Sequence, residues 1–390
     1  MTTFANGNQT EFYLICVLSV LSRQVLESAS VAEVEYMIKL EITLGKANAN
    51  IHKAAESVKA YQTALRILEE SLAAEEMKDR SIVFPIFSGL FIALKLGMIK
   101  QDPDLSFEKS LAARFVKETK SHGDPVHFLR ALAMEAEIYG RLGEFDLAFK
   151  AKREMERIYD PDKHTHAISQ IYGSDRTAQA IGLSSLWYYQ TGRMKEALHN
   201  CDRVMSFVLP RMDIHNVHNS FLIIIPSLWV MKENGLAHEA AINFEKYVAE
   251  PFHLFYPEGA FTYFLPVFKP IAMLLDLASY SEIENQRAPD FNDYLEWALK
   301  EANLRPSSIM NSMGVLGRVP GTITSEICLL LAEKLEHGPD RMTLVKSGLA
   351  VASEALDYVA VNEMVSAEKS TQAIYDKLKQ LDITPRYGCL

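Results

Sequence analysis

Cysteine is scarce in this chain: there are four in 390 residues, at positions 16, 201, 328 and 389, and no CxxC pair. That excludes a disulfide framework and points to buried or idle thiols in a reducing, cytoplasmic setting. Net positive charge is missing too. Forty Lys and Arg stand against fifty Asp and Glu, for a formal charge of -10 and a pI near 5.6. A broad nucleic-acid surface needs clustered cations, so no nucleic-acid partner is expected. Long apolar runs are also absent. "FYLICVLSVL" covers only 12–21, and "FLIIIPSLWVM" at 221–231 is interrupted by Pro226. A bilayer span takes about 20 apolar residues, so no membrane partner is expected either. There is no Asn-Gly hairpin between alternating strands and no βαβ rhythm. No GxxxxGK[ST] or GxSxG motif occurs, which removes a phosphate-binding loop and a nucleophile elbow. No cofactor is expected.

What is present is helical spacing of apolar residues along nearly the whole chain. The stretch 172–201, "YGSDRTAQAIGLSSLWYYQTGRMKEALHNC", shows the unit. Ser174 or Asp175 can cap a helix by accepting orphan backbone N–H groups. Ala178, Ile181, Gly182, Ser185 and Tyr188 then recur at three- and four-residue steps as one stripe, small at its centre. Gly192 suits the left-handed residue that ends a helix. A second stripe follows through Ala197, Leu198, Cys201, Val204, Met205 and Val208, and Pro210 stops it.

The same helix–turn–helix pattern recurs. Gly97, Gly143, Gly192 and Gly235 mark successive turns 46, 49 and 43 residues apart, and His52 fills the first turn. Ala148, Ala197 and Ala240 hold matching small positions, with Pro161 and Pro251 as stops. A pair of helices cannot bury its apolar face alone, so a period of this size predicts stacked pairs. The expected architecture is all-α: one right-handed superhelical solenoid of antiparallel helix pairs over 1–390. Its best-defined repeats lie in 36–251, with degenerate repeats and a C-terminal cap in 252–390. Pro266 and Pro270 predict a break or kink before a helix from about 271. Helices are expected near 325–336, 340–358 and 362–380, and 305–324 is the longest irregular candidate.

Several residues invite a functional reading beside a structural one. Tyr172, Asp175 and Arg176 of "YGSD" and its successor point to an effector in a concave groove, together with Trp187, Tyr188, His218 and Trp229; capping and packing account for the same residue types. His164 and His166, His215 and His218, with His199 and Cys201, raise zinc, although structural zinc needs four converging ligands and no second strong pair is fixed. The aromatics of 251–264 suit a ligand pocket or a solenoid core. Glu135 and Glu137, two apart, face different ways on a helix and form no catalytic pair.

The small–turn–Gly–small–aromatic skeleton resembles the tetratricopeptide repeat, with units longer than its usual ~34 residues. Residues 129–251 carry a narrower resemblance, to the tetratricopeptide-like C-terminal region of signalling ATPases of the STAND/AAA type fused to class III adenylate or guanylate cyclase domains. Tyr172, Gly173 and Asp175 match that family's Tyr-Gly-x-Asp. Leu186, Trp187, Gly192, Ala197 and Leu198 match its Leu-Trp, Gly and Ala-Leu positions. His218-Asn219-Ser220 departs from His-Pro-x-Ser, and Gly192 stands five residues after Trp187. The resemblance implies a non-catalytic sensor or scaffold that takes a protein or peptide partner and serves an ATPase or cyclase domain in cis or in trans. Two alternatives stand beside it. One is a remote enzyme with a pocket near 251–264 and 305–324; the other is a self-associating scaffold stacked through "FYLICVLSVL".

Overall fold

Apolar residues three and four apart produce helices throughout, and no strand occurs among the described residues of the computed structural model. The structure describes residues 29–50, 53–71, 74, 76–97, 105–211, 217–251, 258–281, 288–301, 320–336, 338–361 and 365–383. The chain divides into two compact units, Met1–Ala131 and Leu132–Leu390.

The first unit holds α1 (Val31–Asn50), α2 (Ala54–Glu70), a 3-10 turn (Arg80–Val83), α3 (Phe84–Gly97), α4 (Leu105–His122) and the start of α5 (Pro125–Arg141). Helix α1 packs on α2, and α2 on α3. Tyr61 of α2 fits where Gly45 and Gly89 have no side chain; a Cβ on either would meet its ring within 3 Å. The centre is aromatic: Phe84, Phe87, Phe91 and Phe115 are buried, with the Phe87 and Phe115 rings stacked at 5.2 Å.

The second unit continues α5 and adds α6 (Phe145–Ile158), α7 (Pro161–Tyr172), α8 (Arg176–Gln190), α9 (Met194–Arg203), α10 (Val217–Glu233) and α11 (Ala237–Phe244). It ends with α12 (Glu258–Ser281), α13 (Phe291–Glu301), α14 (Pro320–Lys334), α15 (Pro339–Val361) and α16 (Val365–Ile383). Three of its turns are built alike. Gly143, Gly192 and Gly235 all take φ +73°, a left-handed conformation open to glycine. At each turn the next residue's N–H reaches back to a carbonyl five residues earlier: Glu144 to Tyr139 (2.9 Å), Arg193 to Tyr188 (2.8 Å) and Leu236 to Met231 (3.0 Å). This is the Schellman closure, which satisfies helix-end carbonyls. Ala148, Ala197 and Ala240 beyond these turns are fully buried.

Prolines mark the departures from the sequence reading. Pro161 starts a helix rather than stopping one. It sits in the first turn of α7, where a missing N–H costs nothing, and Asp160 Oδ1 caps that turn by accepting from Asp162 N at 3.2 Å. The 49-residue interval therefore contains an additional helix. The backbone of α12 also runs helically through Pro266 and Pro270. A mid-helix proline costs about 3 kcal/mol. Burial of Ile271, Met273, Leu274, Leu275 and Leu277 just beyond offsets it, at about 1.5–3 kcal/mol for each full side chain.

Helices α9 and α11 each pass into a π-turn, Val204–Val208 and Glu245–Ala249. A π-turn loosens the carbonyl ladder, and Tyr247 Oη donates to the Met205 carbonyl at 3.2 Å. At the far end, α14, α15 and α16 pack together around Leu329, Ile374 and Leu378, with the Thr322 and Thr371 hydroxyls bonded at 2.6 Å. Observed helices 339–361 and 365–383 lie within a few residues of their expected positions, while the helix 320–334 starts at Pro320, inside the stretch 305–324 read as irregular, because proline suits a first helical turn.

Candidate functional site

The "YGSD" turn is where the sequence concentrates polar residues beside a helix start. Gly173 takes φ +79° and closes α7, its N–H donating to the Ser169 carbonyl at 2.8 Å. Asp175 then caps α8. Its Oδ1 accepts from Thr177 N at 3.0 Å and Ala178 N at 3.1 Å, and its Oδ2 accepts from the Tyr159 hydroxyl at 2.7 Å. Tyr159 is in turn 3.0 Å from the Thr165 hydroxyl. Asp175 is 1% exposed. Burial pushes its carboxyl above the ordinary value, while Tyr159, the two backbone donors and Thr165 pull it down. Burial and the Asp175 carboxylate raise the Tyr159 phenol well above its usual range. Between the two capping candidates, Ser174 and Asp175, the geometry assigns the role to Asp175.

Arg176, the first residue of α8, donates through Nη1 to Gln179 Oε1 at 2.7 Å. Its Nε meets no acceptor among the described residues, nor do the buried Thr177 Oγ1 and Gln190 Oε1 meet partners there. Burial holds the guanidinium below its ordinary value, and Glu137 pulls it back up. Glu137 is buried and Glu135 is only partly so, which agrees with two neighbours facing apart.

A second cluster joins α6, α8 and α9. The Tyr188 ring stacks on Phe149 at 4.3 Å, and the Arg193 guanidinium lies 4.9 Å from the Tyr188 centroid and 5.1 Å from that of Phe149. Lys152 Nζ stands 4.9 Å over the same tyrosine and 3.3 Å from its hydroxyl. The ammonium pairs with Glu156 at 2.8 Å, and Glu156 also pairs with Arg203. Burial holds the Lys152 ammonium below its ordinary value, Tyr188 acting the other way. Cations over the Tyr188 face with a carboxylate behind them staple α6 to α8.

Trp187 is buried against Gly140, where an added Cβ would come within 2.6 Å of the indole. Trp229 and Tyr172 are buried as well. Of the seven residues singled out from the sequence, Tyr172, Asp175, Trp187, Tyr188 and Trp229 are thus taken up by caps and core packing, and Arg176 is half-buried beside them. The side chain of His218 lies outside the described residues. So do His215, the side chains of 258–264, the segment 302–319 and "FYLICVLSVL".

No protein-family model, curated protein or solved structure matches this chain.

The functional reading therefore rests on repeat geometry and on side-chain chemistry. Among the described residues no three His, Cys, Asp or Glu side chains converge as a metal would require. Near the zinc candidates, His164 Nδ1 accepts from Asp160 N at 2.9 Å, and His199 is exposed. Cys201 is buried 3.6 Å from the Ser227 carbonyl, and burial pushes its thiol up to about 11, far from thiolate chemistry at neutral pH. No described helix is long and apolar enough to cross a membrane.

The sequence reading missed Tyr159, Thr165, Phe149, Lys152 and Arg193. Tyr159 stands sixteen residues before its carboxylate, so only the reversal through α7 brings them together. Arg193 follows Gly192 directly, and a cation behind a turn glycine next to an aromatic pair was the available signal.

Proposed function

We propose that this chain is a non-catalytic, tetratricopeptide-like interaction scaffold, a right-handed superhelical solenoid of antiparallel helix pairs. Its task is to hold a protein or peptide partner, as the regulatory region of an ATPase or nucleotide-cyclase signalling protein, in cis or in trans. The observation that carries the reading is the threefold recurrence of one turn, at Gly143, Gly192 and Gly235, with the same φ, the same backward hydrogen bond and the same buried alanine beyond it. Repetition of one unit along a chain generates an extended binding surface. The polar clusters around Asp175 and Tyr188 join helix to helix, which supports holding.

Two measurements test the reading. Small-angle scattering of the purified chain is expected to give a radius of gyration clearly above the ~21 Å of a compact 390-residue globule; a value at that figure sinks the solenoid. Sequencing the transcript across the start codon, with co-purification of separately encoded domains, tests the regulatory role. A P-loop ATPase or cyclase domain in frame or in fixed stoichiometry supports it. Hydrolysis or cyclisation of a nucleotide by the isolated chain refutes the non-catalytic assignment.

A further inference from the structure

Two histidines and two aspartates meet around one phenylalanine in the first unit, away from the "YGSD" turn. Helix α4 ends at His122, Gly123 turns the chain at φ +85°, and Asp124 opens α5, its Oδ1 accepting from Val126 N at 2.8 Å. His127, in the first turn of α5, is 4% exposed. Phe84, at the start of α3, touches both imidazoles: its ring centroid lies 5.2 Å from that of His122, edge-on, and 4.8 Å from that of His127. The two imidazoles are 5.9 Å apart. At the rim, Asp124 Oδ2 is 3.9 Å from His127 Nε2. Asp79 caps the neighbouring 3-10 turn, its Oδ1 accepting from Ser81 N at 2.9 Å.

We propose that the α4–α5 joint is a proton-operated hinge, shut while the buried His127 imidazole is neutral and packed on Phe84, and released when it becomes charged. The other charges at the joint are engaged elsewhere: Arg80 with Glu118 at 3.5 Å and with the Ala74 carbonyl at 3.0 Å, and Arg130 on the Ser88 hydroxyl at 2.7 Å. His122 is exposed, whereas a charge on the buried His127 imidazole, held against the Phe84 ring, loses its hydration. Asp124 Oδ2 already stands 3.9 Å from His127 Nε2, so a charged ring that leaves Phe84 for water keeps this carboxylate as its partner. The joint thus has two arrangements, selected by proton binding, with the flexible residue Gly123 between the helices.

Burial holds the His127 imidazole below its ordinary value; Asp124 pulls it up, His122 down and Asp79 up. A histidine depressed in the folded state leaves stability intact above the ordinary value near 6.5. That stability is lost as pH falls from there toward the folded value.

Hydrogen exchange of the full chain at pH 7.5 and 5.5, corrected for intrinsic rates, tests the hinge. Amides of 119–131 are expected to exchange about tenfold faster at pH 5.5, with α8 unchanged. His127→Phe should abolish the rise, and His122→Gln should leave most of it. A flat response in the wild type, an equal rise in α8, or an undiminished rise in His127→Phe overturns the proposal. Where His127→Phe fails to fold, the imidazole Cε1–H titration of the wild type decides: titration below the ordinary histidine range supports the hinge, and titration at or above it refutes it.

Discussion

Replacing Asp175 by alanine separates a capping role from a ligand-binding one. The substitution removes the acceptor for Thr177 N and Ala178 N, and loss of an N-cap costs about 1 kcal/mol, with a range near 0.5–2. It also strips the Tyr159 hydroxyl of one of its two partners. A buried hydroxyl left wholly unpaired costs about 1–3 kcal/mol; with Thr165 still in reach the lower end applies. Relief of the buried charge offsets part of this. The expected net loss is about 2 kcal/mol, or roughly 4–8 °C in Tm for a unit of this size. Circular dichroism at 222 nm, on heating and in urea, reads it directly. Asp175→Asn keeps an acceptor oxygen for the two backbone donors and should recover at least half the loss. Tyr159→Phe combined with Asp175→Ala should cost less than the two added, because each single change breaks the same hydrogen bond. An alanine variant with the wild-type midpoint, or an asparagine variant as weak as alanine, refutes the capping account.

Other consequences are equally checkable. Gly182→Ala places a Cβ 2.3 Å from the Ile223 carbonyl oxygen. Forcing α8 and α10 apart is expected to cost about 1–3 kcal/mol in urea denaturation, where a free helix position would gain up to ~1 kcal/mol. Tyr188→Ala should destabilise by about 3–5 kcal/mol, as for other buried aromatics, while Tyr188→Phe keeps the stack and loses only the Lys152 bond. Glu41 is buried and its carboxyl is pushed up to about 7, mainly by burial, with Arg66 and Lys59 pulling down. A carboxyl raised in the folded state leaves stability intact below its unfolded value of 4.5 and loses it as pH rises through about 7. Glu41→Gln should therefore flatten the stability–pH curve of the first unit over that window.

The helices were legible because three- and four-residue spacing is a local property, and the turn glycines because a left-handed residue has few alternatives. Gly143, Gly192 and Gly235 announced their turns; Asp175 could be read as one of two caps. What stayed hidden depends on distant contacts or on a balance of energies. Pro161 reads equally as a stop or a first-turn residue, and the Asp160 cap decides it. Pro266 and Pro270 read as breakers because the burial beyond them is not a local quantity. The two π-turns leave no mark in composition. Tyr159 beside Asp175, and His122 beside His127 across Phe84, need the folded chain.

The π-turns bear on how such a chain changes over generations. An extra residue inserted into an α-helix rotates everything beyond it by about 100°, turning a buried stripe outward. A π-turn absorbs one residue within a single turn, so the stripes before and after it stay aligned. With Val204–Val208 and Glu245–Ala249 at the ends of α9 and α11, insertions and deletions can be taken up there while Cys201, Val208, Phe244 and Val248 keep facing inward. Length changes at these two places would leave the buried stripes on either side in register.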